Sequence, residues 1–163
     1  MRWLPVIGGS LLLAGLTPLP GAAQGASVTV TIATGPNAGT YALKDPRGCV
    51  IEPKKGTHPR TLKAAVSDAS KVANPKALGN AIFELPLTGS SAPSPLLDID
   101  LIFGEPDNVA ADYYVTTISE TSKTGTGTVT IDEKAGAVTV KFQAQTAKGV
   151  KFQGVLECAK VSS

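Results

Sequence analysis

The chain has 163 residues, 42% hydrophobic and 17% charged, with a formal net charge of +2, two cysteines and one histidine. This apolar fraction and low charge exclude a disordered chain, and the length suits one domain of ordinary size. So few cysteines and histidines exclude a disulfide-stapled miniprotein, a four-cysteine zinc site and any metal site that needs two imidazoles.

Met1-Arg2-Trp3 is a short basic start, Leu4 to Pro20 is apolar, and Gly21-Ala22-Ala23 offers small residues where a signal peptidase cuts. Residues 1–23 therefore read as a secretory signal peptide, cut after Ala23. Residues 24–163 are expected to form a single domain, secreted or periplasmic, with no membrane span in the mature form. Pro18 and Pro20 interrupt the apolar stretch, which is short for a span. No cysteine precedes Cys49, so no lipid anchor is expected at the cut. In an oxidising compartment two thiols of one domain usually pair. A Cys49–Cys158 bond would close a loop of more than a hundred residues, worth about 4–5 kcal/mol in the chain-entropy account.

Alternation of period two marks half-buried strands. Ser27 to Ile32 sets Val28, Val30 and Ile32 against hydroxyls on the other face. Turns at Gly35 to Gly39 and Asp45-Pro46-Arg47-Gly48 bracket a short strand at 40–43, and Gly48 to Ile51 is strand-like. Leu62, Ala65, Val66 and Ala69 keep helical spacing before Asn74-Pro75, which leaves 61–72 open between helix and strand. Residues 81–85, 97–103 and 113–118 are strand candidates, with a polar crossover loop over Thr88 to Pro95. Thr128 to Ile131, Val138 to Ala144 and Val150 to Cys158 form a meander, its first hairpin turning at Gly136 with a bulge. Eight or nine short strands and one staple predict an all-β antiparallel sandwich, with a closed barrel as the alternative.

Charge is unevenly spread. Residues 44–76 hold eight basic and three acidic side chains, 77–122 hold seven acidic and no basic, and 123–163 hold six basic and three acidic. Complementarity between neighbouring strands is the structural reading, with Asp98 and Asp100 on one strand face and Lys141 and Lys151 pointing away from the core on theirs. Two functional readings use the same residues. Asp98, Asp100, Glu105, Asp107 and Asp112 cluster around a turn and could supply oxygen ligands to calcium, although the spacing is not that of an EF-hand. Calcium is the one cofactor this sequence suggests. Lys54, Lys55, His58 and Arg60 lie in a basic loop suited to an anionic surface.

No G-x-S-x-G or S-x-x-K motif occurs, and no Gly-rich loop opens a helix to cradle phosphate. Asp98 and Asp100, two residues apart on a strand, are separated by about 6.5–7 Å, a distance a carboxylate pair for hydrolysis could use. Of the adjacent Tyr113 and Tyr114, one must face outward and offers a contact residue. Net charge near zero and the lack of a basic–aromatic motif argue against nucleic acid.

The segments Gly125 to Ile131, Val138 to Phe142 and Thr146 to Cys158 resemble the ending of many small secreted bacterial proteins of unassigned role, some of them lipoproteins, including mycobacterial surface antigens. This chain lacks their lipidated cysteine. The resemblance implies an extracytoplasmic β-sandwich with a terminal disulfide, and it transfers no functional residue. The expected role is non-enzymatic: binding, or a structural part of the cell envelope, with envelope polysaccharide or protein as partner. A calcium-dependent module on 98–112 and a small hydrolase on Asp98 and Asp100 are the alternatives.

Overall fold

A computed structural model describes residues 25–57, 59–105, 108–119, 121–159 and 161–162. The expected signal peptide, His58 and Asp107 lie outside the described residues. Eleven strands and one helical turn follow one another. They are β1 (Ala26–Ile32), β2 (Gly39–Asp45), β3 (Cys49–Glu52), β4 (Thr61–Ser67), α1 (Ala69–Val72), β5 (Leu78–Pro86), β6 (Asp98–Glu105), β7 (Asn108–Thr116), β8 (Thr126–Lys134), β9 (Ala137–Gln145), β10 (Lys151–Cys158) and β11 (Val161–Ser162).

Two sheets form, neither closed into a barrel: β2-β1-β10-β9-β8, and β11-β3-β4-β5-β6-β7. All pairings are antiparallel except the short β11–β3 contact. The alternating apolar residues point between the sheets, as the period-two pattern requires. Val28, Val30, Ile32, Val140, Phe142, Phe152 and Leu156 meet Leu62, Val66, Phe83, Leu85, Ile99, Leu101 and Phe103 there. Phe83 lies 5.4 Å from Phe142 between ring centroids, and Phe103 packs edge-on against Tyr41 and Tyr113. Cys49 in β3 and Cys158 in β10 are disulfide-bonded, with Cα atoms 5.7 Å apart and a sequence separation of 109. The bond joins one sheet to the other inside the core, where both residues are buried.

Residues 61–72 resolve into a strand followed by one helical turn. β4 is paired on both sides, by β3 and β5, and these two ladders outweigh the helical spacing of a seven-residue segment. Asp68 then caps α1 by accepting a hydrogen bond from the Ser70 amide. The segment expected to cross over at 88–95 instead connects neighbouring antiparallel strands β5 and β6. On its way it leans onto the other sheet, where Ser94 and Val129 exchange backbone hydrogen bonds of 2.7 and 2.8 Å and cover the outer edge of β8. The β8–β9 hairpin closes without a bulge, Lys134 opposite Ala137, with both loop residues at positive φ (Ala135 46°, Gly136 82°). That is the two-residue turn whose twist matches the strands.

The opposite edge of the five-stranded sheet is β2. Lys71 of α1 donates from Nζ to the Ala42 carbonyl at 2.6 Å, which places a charge against an otherwise open strand. Among the described residues no helix is long and apolar enough to cross a membrane.

Candidate functional site

With one face of each sheet committed to the core, function has to use the outer faces or the loops. On the five-stranded sheet the register brings hydroxyls and amides into line. Thr31 lies opposite Thr40 and Gln153, Gln153 opposite Gln143, and Gln143 opposite Thr128. One uncharged row thus crosses all five strands. The Thr31 and Thr40 hydroxyls share a 3.0 Å hydrogen bond, and Gln143 Nε2 donates to Thr128 Oγ1 at 3.1 Å. The row on one side holds Lys151, Gln145 and Thr126, and the row on the other holds Thr29, Val155, Lys141 and Thr130. Two shallow hollows of about 520 and 580 Å³ lie on this face and share Thr31, Thr128, Gln143 and Gln153. Pro93 contributes to the second, so the β5–β6 connection forms part of its rim.

The outer face of the six-stranded sheet carries the predicted acidic residues. Asp98, Asp100 and Ile102 of β6 pair with Thr116, Tyr114 and Asp112 of β7. Asp98, Asp100 and Asp112 therefore share one face, and Glu105 stands at the far end of β6 beside the hairpin. Asp100 is half-buried, its Oδ1 without a hydrogen-bond partner among the described residues, with Asp112 diagonally across the β6–β7 ladder and Asp98 two residues along its strand. Burial, then the Asp112 contact, then repulsion from Asp112 and Asp98 push its carboxyl up to about 7. Asp100 keeps its proton where an isolated carboxylate has lost its own. Among the described residues, no group of three or more acidic, His or Cys side chains is gathered in a way that could hold a metal ion.

The adjacent tyrosines divide as alternation demands. Tyr113 points inward and donates to Asn37 Oδ1 at 3.0 Å. Tyr114 points outward, 38% exposed, and donates to Asp98 Oδ2 at 3.0 Å. Tyr114 is therefore the outward one of the two.

The described residues of the basic loop line two hollows. Arg60 reaches the other sheet and bonds Glu133 at 3.2 Å, lining a hollow of about 500 Å³ with Lys54 and Lys134. Lys55 lines a different hollow, with Pro53, Pro59, Leu96 and Ile118. Charge complementarity also takes a different form from the expected one. Lys63 of β4 bridges Glu52 of β3 and Glu84 of β5 at 3.2 and 3.7 Å, whereas Lys141 and Lys151 stand on the sheet opposite to Asp98 and Asp100.

One buried charge has a structural role that the sequence showed only as a turn. Asp45 accepts from the Arg47 amide at 2.8 Å, from its guanidinium at 2.6–3.1 Å and from the Ser67 amide at 3.3 Å. The guanidinium hydrogen bonds hold the Asp45 carboxyl well below the usual carboxylate range. The row on the five-stranded sheet was also missed. Its signal was the recurrence of Thr at outward positions of β1 and β8 and of Gln in β9, which gains meaning only once the register aligns them with Gln153. The chain matches no protein-family model, no curated protein and no solved structure.

Proposed function

We propose that this chain is a secreted or periplasmic, non-enzymatic β-sandwich that binds at the cell envelope through the outer face of its five-stranded sheet. The observation that carries this reading is the uncharged hydroxyl–amide row over two merged hollows. This face has no part in the core. Side chains with unspent hydrogen-bonding capacity are what a surface needs to recognise a polar ligand. Export is supported by the signal-like residues 1–23 and by the Cys49–Cys158 bond, which suits an oxidising compartment.

The test is co-sedimentation of the purified protein with washed envelopes of the organism that makes it, with intact-mass analysis of the native protein. The expected results are retention that falls at least tenfold in Gln143→Arg/Gln153→Arg, and a mature chain starting at Gln24. Retention unchanged in that variant overturns the choice of face, and a native chain still carrying residues 1–23 overturns export by cleavage.

A second reading rests on Asp100. A carboxyl still protonated near neutrality, with a second carboxyl two residues along its strand, is a pairing general acid catalysis uses. It makes the chain a small hydrolase using Asp98 and Asp100, and turnover abolished by Asp98→Asn would favour it over the binding reading.

A further inference from the structure

We propose that the row Thr40, Thr31, Gln153, Gln143 and Thr128 binds an uncharged, hydroxyl-rich polysaccharide chain; this rests on the binding reading above and names its ligand. Three observations select that chemistry. Strands β1, β10 and β9 are paired on both sides, so a ligand lying on this face meets side chains and not free backbone. An extended peptide takes its affinity from an open strand edge; here the β8 edge is covered by Ser94 and the β2 edge carries Lys71 against it. Apolar ligands fare no better. All four phenylalanines are buried, Tyr41 and Tyr113 pack against Phe103, and Tyr114 lies on the other sheet. The apolar side chains on the three central rows are small, Val155, Ala42 and Ala33.

Five neutral groups remain on the central row, each a hydroxyl or an amide able to donate and to accept, with Lys151 and Lys141 on the rows to either side. They stand about 4.8 Å apart across the strands, so the row spans roughly 19 Å. The Thr31–Thr40 and Gln143–Thr128 bonds fix the orientation of four of them, while the Gln153 amide at the centre has no partner among the described residues. A chain of sugar hydroxyls matches this alternation of donors and acceptors and needs no countercharge. With no aromatic ring to stack on, a short fragment should bind only in the millimolar range. A polymer gains from offering many equivalent registers.

The experiment is affinity electrophoresis of the mature protein through gels containing dextran, amylose, hydroxyethyl cellulose or galactomannan, with alginate as the anionic comparison. At least one neutral polymer should slow migration twofold or more. Gln143→Ala/Gln153→Ala should abolish the retardation without moving the unfolding midpoint, and Asp98→Asn should retain it. Retardation by alginate alone, or retardation that survives in the double variant, overturns the proposal. If no neutral polymer slows the protein yet envelope co-sedimentation still depends on Gln143 and Gln153, the ligand class falls and the binding face stands. If neither occurs, both fall.

Discussion

At Gly154 one methyl group is too much. A Cβ there would sit 2.2 Å from the Thr29 carbonyl oxygen and 2.6 Å from Phe142 Cζ, contacts that backbone and a buried ring cannot relieve. Gly154→Ala is expected to cost about 2–3 kcal/mol in urea unfolding; a cost under 0.5 would show that the sheet gives way. Ala135 is the reverse case, a residue with a Cβ held at φ 46°. Ala135→Gly removes that strain and should raise stability by about 0.5–1 kcal/mol, read as a higher unfolding midpoint. Asp100 responds to pH. Its folded value, near 7, lies above its ordinary 3.8, so the folded state holds a proton that the unfolded chain releases. Its contribution is intact below about pH 4 and is lost as pH rises towards 7. Asp100→Asn, which mimics the protonated form, should stabilise the protein by about 1–2 kcal/mol at pH 8, the figure discounted for partial exposure, and by nothing at pH 3. Equal effects at both pH values would contradict the carboxyl pairing.

Elements built on strict alternation were legible before any coordinates: β1, β9 and β10 place the expected residues inward, and the C-terminal meander is present. Strand β4 was not. Ala65 blurs its polar face, and Leu62, Ala65, Val66 and Ala69 mimic a helix. Only pairing with β3 and β5, set by distant sequence, decides the matter. The 88–95 connection misled for a related reason, because prolines and serines mark a loop without saying which strands it joins. The outer-face row lies further from the sequence still, since it exists only through four registers at once. Between β2 and β3 the turn composition was readable, but the buried Asp45 was not. Asp45→Ala leaves the Arg47 and Ser67 amides without their acceptor, and a loss of about 2–3 kcal/mol is expected in thermal or urea unfolding. The depressed carboxyl contributes fully above about pH 4, and its contribution is lost as pH falls below that. The wild-type advantage over Asp45→Ala should therefore shrink on acidification.

For the whole molecule, the disulfide and the packed seam between sheets carry stability, and the outer face of the five-stranded sheet is left free of that duty. Opening the 109-residue loop with Cys49→Ser/Cys158→Ser should cost about 4–5 kcal/mol while leaving the register of β1, β10, β9 and β8 intact in whatever fraction stays folded. Binding by the folded fraction should then persist. The claim on which the account turns is that this face, and not the acidic face opposite, meets the envelope. Amide chemical-shift mapping with solubilised envelope fragments tests it directly. The account predicts perturbations concentrated at Thr31, Thr128, Gln143 and Gln153, with Asp98, Asp100, Asp112 and Tyr114 unmoved. Shifts confined to those four residues of the six-stranded sheet would contradict it.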